Sequence, residues 1–520
     1  MSQKVNPSFF PELRLFGQSW LRSRQRLERA ASVIAAACVI VGLAACTTPQ
    51  YPNQALGSNA ANPEFQPFPT DSSPDDPIVI MAFSGGGSRA TALSLSVLQQ
   101  LRSFKYQHHD KSERLIDRVV AVSSVSGGSV TAGYLGLYGA DNIDGLTSAF
   151  LIRDDKPVDN MAALEWTAAN PITWFRLATG RYTRIDALRD LFDDRLFHHK
   201  HFSDMVGRGH PIIQLNATDM VSGEVFAFTP QRFNDICSDL APLPLSVGVA
   251  ASAAFPVALS PMDLKNYSGV GCNGAIPSAK WIETDLKSRA GRYLNLEEFK
   301  RARYANALRH GPDAFRDIRY LHLLDGGVAD NQGIHSLMDT LFSPHGPVRL
   351  LNAINRGERK SIVIITVNAR SDPPSSLDQD SGTPGIISMI KSVTSVPLDS
   401  ATASLNAEMQ VLIDTLMSAG SDASKAPSDK ALFGGLKVYG VSVDFDQFLP
   451  AENALRNRVK AIGTTWTLTK DELETVEQAG KLLLHQNPCF QRLLMDLKIP
   501  ADFIDRMFAK STCPVSASNH

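Results

Sequence analysis

A chain of 520 residues, 43% of them hydrophobic and 20% charged, can bury a large core and is longer than most single domains. Its 51 basic and 53 acidic residues nearly cancel, so no positive field marks it as a nucleic-acid binder. None of its six cysteines stands in CxxC spacing, which weighs against zinc and redox chemistry.

Residues 1–45 read as a secretory signal peptide. Lys4, Arg14, Arg22, Arg24, Arg26 and Arg29 outnumber Glu12 and Glu28 and precede an uncharged run from Ala30 to Ala45. The run is shorter than the roughly 20 residues that span a bilayer. It ends Leu43-Ala44-Ala45-Cys46, which resembles the lipobox of bacterial lipoproteins, where the cysteine is diacylated and becomes the first mature residue. The expectation is a lipid anchor on Cys46 in the cell envelope. Thr47 stands where, by resemblance to enterobacterial lipoproteins, an aspartate would retain the chain at the inner membrane, so the outer membrane is favoured. An ordinary signal peptide and an uncleaved anchor are the alternatives. Loss of the leader leaves the body more acidic than basic, so it would not seek anionic lipid by charge.

Residues 46–76, rich in Pro, Asn, Ser and Ala, read as a flexible linker, and the catalytic body is expected over 77–515. There, short apolar runs alternate with helical periodicity, which predicts a three-layer α/β/α fold with a largely parallel central sheet. Strands are expected at 78–83, 118–123, 212–217, 225–229, 319–324, 362–367 and 437–443. A helix should carry Ile185, Leu188, Phe192 and Leu196 on one face, and Thr469 with Glu472 has the spacing of a capping box. His198, His199 and His201 read as a solvated cluster, not a metal site. The stretch 371–385 reads as a long loop. In an oxidising compartment the local pairings Cys237 with Cys272 and Cys489 with Cys513 are the expected disulfides among three arrangements.

Three segments carry chemistry. The first runs from a strand through Ser84-Gly85-Gly86-Gly87-Ser88-Arg89-Ala90 into a helix, which places backbone amides and a helix amino terminus where an anion can be held. Gly85, Gly87 and Ala90 also fit the dinucleotide pattern, but the next strand ends in serines and glycines, not the acid that holds a ribose. The second, Val119 to Ser129, has the layout of a nucleophile elbow with Ser126 at its apex and Ser124 in place of the first glycine of G-x-S-x-G. The third, Leu323-Leu324-Asp325-Gly326-Gly327, puts a carboxylate at the end of a buried strand, where it can take a proton from a serine.

In this order the three segments resemble the patatin-like phospholipase family, over about 77–259 and 321–367. Ser84, Ala90 and Ser124 stand where plant patatins have Asp, Gly and Gly, and the Ser-Gly-Gly-Gly-x-Arg-Ala wording is similar to cytosolic phospholipase A2 relatives of the same superfamily. The resemblance implies a Ser126–Asp325 dyad and an oxyanion hole at Gly85, Gly86 and Gly87. It also implies that Arg89 helps hold an oxyanion or phosphate. The substrate would be a lipid or phospholipid ester, with no cofactor, metal or histidine in the dyad.

Two readings compete with this one. An esterase triad would add His335 or His485, and an envelope lipoprotein that keeps the fold without catalysis would have let a motif decay. Trp166, Trp174 and Phe175 are candidates to line an acyl groove, with core packing the commoner role for such residues. Ala250 to Pro256 resembles a small-residue helix end that patatin-like proteins pack near the site.

Overall fold

The computed structural model describes residues 51–57, 62, 76–108, 111–169, 182–205, 211–256, 258–270, 280–287, 296–311, 317–341, 360–371, 410–411, 413–414 and 436–513. The leader, Cys46, Cys272, Trp174, Phe175, the side chain of Trp166 and almost all of 371–385 lie outside them.

Every residue of Ile78–Phe83 (β1) is buried, as an unbroken apolar run predicts for a strand covered on both faces. Alternation sends Ile78, Ile80 and Ala82 to one side, against Ile334 and Leu337. Val79, Met81 and Phe83 face the other, against Leu93 and Val97. The other strands of the main sheet are Val119–Val125 (β2), Ile212–Asp219 (β3), Val225–Ala227 (β4), Met262–Lys265 (β5), Tyr320–Asp325 (β6), Ser361–Asn368 (β7) and Lys437–Asp444 (β8). They lie in the order β5-β6-β3-β2-β1-β7-β8, with β4 pairing β3. From β3 to β8 along this order the pairs are parallel; β6, β5 and β4 join antiparallel. All seven expected strands are present with ends moved by one or two residues. The short β5, Met-Asp-Leu-Lys, gave no sequence signal.

The helices that position the site are Gly87–Ser103 (α1), Gly127–Tyr138 (α2), Leu245–Ser252 (α3), Gly327–Asp330 (α4) and Ile334–Leu341 (α5). Behind α1 packs Lys470–Gln486 (α6), opened by the Thr469–Glu472 capping box. The expected helix through Ile185 and Leu188 spans Arg184–Phe192 and continues as a π-helical turn at Asp193–Phe197.

Cys489 and Cys513 are joined by a disulfide with Cα atoms 5.1 Å apart. Cys237 is also disulfide-bonded. The linker reading needs correction at its start, because residues 51–57 include a docked segment. Gln54–Ala55 pairs antiparallel with Ser238–Asp239, and the buried Asn53 side chain donates to Ser238 Oγ (3.0 Å) and Lys265 O (2.8 Å). Asparagine counts toward a solvated composition, yet here its amide satisfies strand backbone. His198 and His199 are exposed at positive φ, and His199 pairs with Asp193. Among the described residues no group of three or more His, Cys, Asp or Glu is placed to hold a metal.

Candidate active site

Strand register brings the chemistry together. Val125 lies opposite Asn216 on β3, and Asp325 lies opposite Ala217, the next residue of the same strand. Ser126, one residue beyond β2, therefore stands level with Asp325 across a single intervening strand. About 200 residues of chain separate two groups that the sheet holds side by side.

Ser126 has φ 51° and ψ −120°, a conformation few non-glycine residues adopt, and it caps the amino end of α2. Its turn is affordable only because the neighbours are small. A Cβ on Gly127 would lie 2.7 Å from the Gly87 carbonyl carbon, closer still to its oxygen, and one on Gly128 would lie 2.7 Å from Ser84 O. The glycine loop and the elbow thus touch backbone to backbone. Thr91 Oγ1 reinforces the contact by donating to Gly127 O (2.8 Å), and Thr131 Oγ1 donates to Thr91 O (2.9 Å). Both helix amino ends consequently converge on one spot and favour negative charge there.

The Asp325 carboxylate accepts the Gly327 amide at 2.8 Å, and both that bond and the neighbouring Ser126 hydroxyl favour its charged form. Burial outweighs both and pushes the Asp325 pKa up to about 6. None of the described histidines contributes to that balance. His335 faces Asp330, with Nδ1 3.9 Å from its carboxylate, while its amide donates to the same group at 2.7 Å. His485 stacks on Phe503 and meets Gln100 at 2.9 Å, its pKa held down to about 4 by burial, with the charge of Lys481 adding to the effect.

Two residues of the expected oxyanion hole are engaged elsewhere. The Gly85 amide donates to Asn331 O at 3.1 Å, which leaves the amides of Gly86 and Gly87 without an acceptor among the described residues. Arg89 is not aimed at a ligand. It is buried, with Nε donating to Ala369 O (2.9 Å), Nη1 to Ile462 O and Nη2 to Thr464 Oγ1 (3.4 Å). A guanidinium spent on carbonyl groups is a clamp on the loops behind the glycines, and the sequence could not show which acceptors it would find.

The departures from glycine and aspartate also have partners. Ser124 Oγ donates to Gln214 O (3.0 Å) and accepts from Ser129 (3.1 Å). Ser84 Oγ accepts the Ala369 amide at 2.8 Å, tying the glycine loop to the chain after β7.

One contributor was read from sequence as packing alone. At the end of α3, Ser252 Oγ accepts the Ser126 amide (2.9 Å), contacts Ser129 Oγ (2.8 Å) and donates to Asn216 O (2.6 Å). Ser252 O accepts the Gly326 amide (3.1 Å), and Ala254 O accepts the Asp325 amide (2.9 Å). The same three-residue stretch thus holds the elbow and the aspartate. Directly beyond lie Phe255 and, on α4, Val328, 40% and 39% exposed. Their signal in the sequence was only their adjacency to the small-residue helix end and to Asp-Gly-Gly.

The family model described as Patatin-like phospholipase matches residues 81–338. Comparison with curated proteins returned no match. Among solved structures, the chain is similar to human GIVD cytosolic phospholipase A2, at 13% identity and TM-score 0.39, covering 81% of this chain and 62% of that one. The same human protein in complex with methyl gamma-linolenyl fluorophosphonate and terbium chloride gives 14% identity and TM-score 0.39, covering 81% and 59%. The chain therefore spans about three fifths of the length of those structures.

Proposed function

The chain belongs to the patatin-like phospholipases through residues 81–338, and from that premise we propose that it hydrolyses lipid acyl esters with a Ser126–Asp325 dyad. The observation that carries this reading is the Ser126 hydroxyl, held on a strained turn beside a buried carboxylate whose pKa none of the described histidines shifts. Ser126 Oγ attacks the ester carbonyl carbon as Asp325 takes its proton. The negative oxygen is received by the amides of Gly86 and Gly87, and Asp325 returns the proton to the departing alcohol. Water then adds to the acyl-serine, again giving a proton to Asp325, and the carboxylic acid leaves as Ser126 recovers its hydrogen. Phe255 and Val328 offer apolar surface to the acyl chain. A lipidated Cys46 in the outer membrane would keep this body near lipid.

A fluorophosphonate probe tests the assignment. We expect covalent labelling at Ser126 and none in Ser126→Ala; an adduct on another serine would overturn it. Because the base must be ionised, kcat/KM for a short-chain ester should rise with pH through about 6 and then level off. A limb that tracks a histidine and disappears in His335→Ala would instead favour the triad.

Ser252→Ala removes the acceptor of the Ser126 amide and leaves buried partners unpaired. Expected is a fall in kcat of about 10- to 100-fold with KM little changed, since the loss is of alignment. Ser252→Thr should recover part of it.

A further inference from the structure

Away from the dyad, a cavity of about 450 Å³ is lined by Arg153, Asp154, Lys156, Pro157, Val158, Asp159 and Arg195. Two features set it apart from an ordinary charged surface. The first is its frame. A π-helical turn at Thr147–Leu151 leads into Ile152–Arg153, and a second, Asp193–Phe197, carries Arg195. The π-helix is rare and concentrates at functional positions, and here two of them deliver the two arginines to one opening.

The second feature is charge. Among the described residues Arg153, Lys156 and Arg195 form no ion pair with a carboxylate. Arg153 Nε donates to Ser148 O at 3.0 Å. Arg195 Nη1 donates to Asn160 Oδ1 at 2.6 Å and Nη2 reaches Asp159 O at 3.5 Å. Asn160 is itself buried and fixed, its amide nitrogen donating to Phe150 O (3.0 Å) and Trp466 O (2.6 Å), so Arg195 is aimed and not merely present. Burial first, and then the nearby positive charge of Arg153, hold the Arg195 pKa below its ordinary value. Two like charges are thus kept close, neither of them in an ion pair with a described carboxylate. Of the two acids in the lining, Asp159 spends Oδ1 on the Ala162 amide (2.8 Å) and partly offsets Arg195, and Asp154 sits in the turn between Ile152–Arg153 and Lys156–Pro157, which pair antiparallel.

We propose that this cavity is a binding site for a phosphate-type oxyanion, held between the free guanidinium donors of Arg153 and Arg195 with Lys156 at the rim. Guanidinium forks match tetrahedral oxyanions, and a doubly charged ligand relieves the repulsion between them. The same chemistry is offered by free phosphate and by the headgroup of an anionic phospholipid. The site is independent of the dyad.

The test uses the full chain. Calorimetric titration with inorganic phosphate examines the free ligand. Sedimentation with ether-linked phosphatidylcholine vesicles, with and without ether-linked phosphatidic acid, examines the headgroup, since ether lipids cannot be hydrolysed at the acyl position. Arg153→Ala, Arg195→Lys and the double variant are compared with wild type, with melting curves to confirm folding. Phosphate binding weakened about tenfold or more by Arg153→Ala identifies a free oxyanion as ligand. Phosphatidic-acid-dependent sedimentation lost in the same variant identifies the headgroup. Arg153 is exposed and its change should leave the fold intact. Wild type and Arg153→Ala behaving alike in both arms overturns the proposal.

Discussion

Asp325→Asn is expected to abolish turnover, by at least about 10⁴-fold, while making the folded protein more stable. An asparagine keeps an oxygen to accept the Gly327 amide but cannot take the Ser126 proton. The stability change follows from the raised pKa. In the unfolded chain the group ionises near 3.8 and in the fold near 6, so the folded state binds its proton more tightly. The resulting penalty is absent below the unfolded value, grows as pH rises from there through about 6, and is constant above. Two pH units of difference correspond to roughly 3 kcal/mol, which is the upper limit of what neutralising the residue returns at pH 8. Urea denaturation of both proteins at pH 8 and near pH 4 checks it. The gain should be confined to the higher pH; a destabilised variant at pH 8 would show that the carboxylate is not held at a cost.

Gly127→Ala should be among the most damaging single-methyl changes in the chain. The added carbon would collide with the Gly87 peptide, a neighbour that is itself pinned because Ser88 N donates to Thr465 O at 2.8 Å. Neither partner can retreat without moving the helix that follows it. A loss of at least about 3 kcal/mol and of all hydrolysis is expected. Gly269→Ala, where an added Cβ meets nothing within 4 Å, is the control and should fall within about 0.5 kcal/mol of wild type. Equal behaviour of the two variants in thermal denaturation would refute the tight-contact account.

What the sequence revealed and what it concealed divide along a physical line. Buried strands of a parallel sheet are rich in Val, Ile and other apolar residues, so β1, β2, β3 and β7 were legible to within two residues. Ser126 and Asp325 were singled out because one stands at the apex of a nucleophile-elbow layout and the other at the end of a buried strand, in the order that the patatin-like resemblance implies. Hydrogen-bond partners were not legible. Arg89 and Gly85 belong to the right segment, yet their donors go to Ile462, Ala369 and Asn331, residues far away along the chain. Ser252 was overlooked for the converse reason, since one serine among alanines looks like packing until the Ser126 amide is seen to point at it.

The docked pair Gln54–Ala55 bears on how such a body could meet a bilayer. Between Cys46 and Tyr51 there are five residue steps, which even fully extended reach no more than about 18 Å. If Cys46 carries the proposed acyl group, it would hold this body as a short mooring holds a boat, with little freedom to swing and a restricted choice of which flank it turns to the lipid.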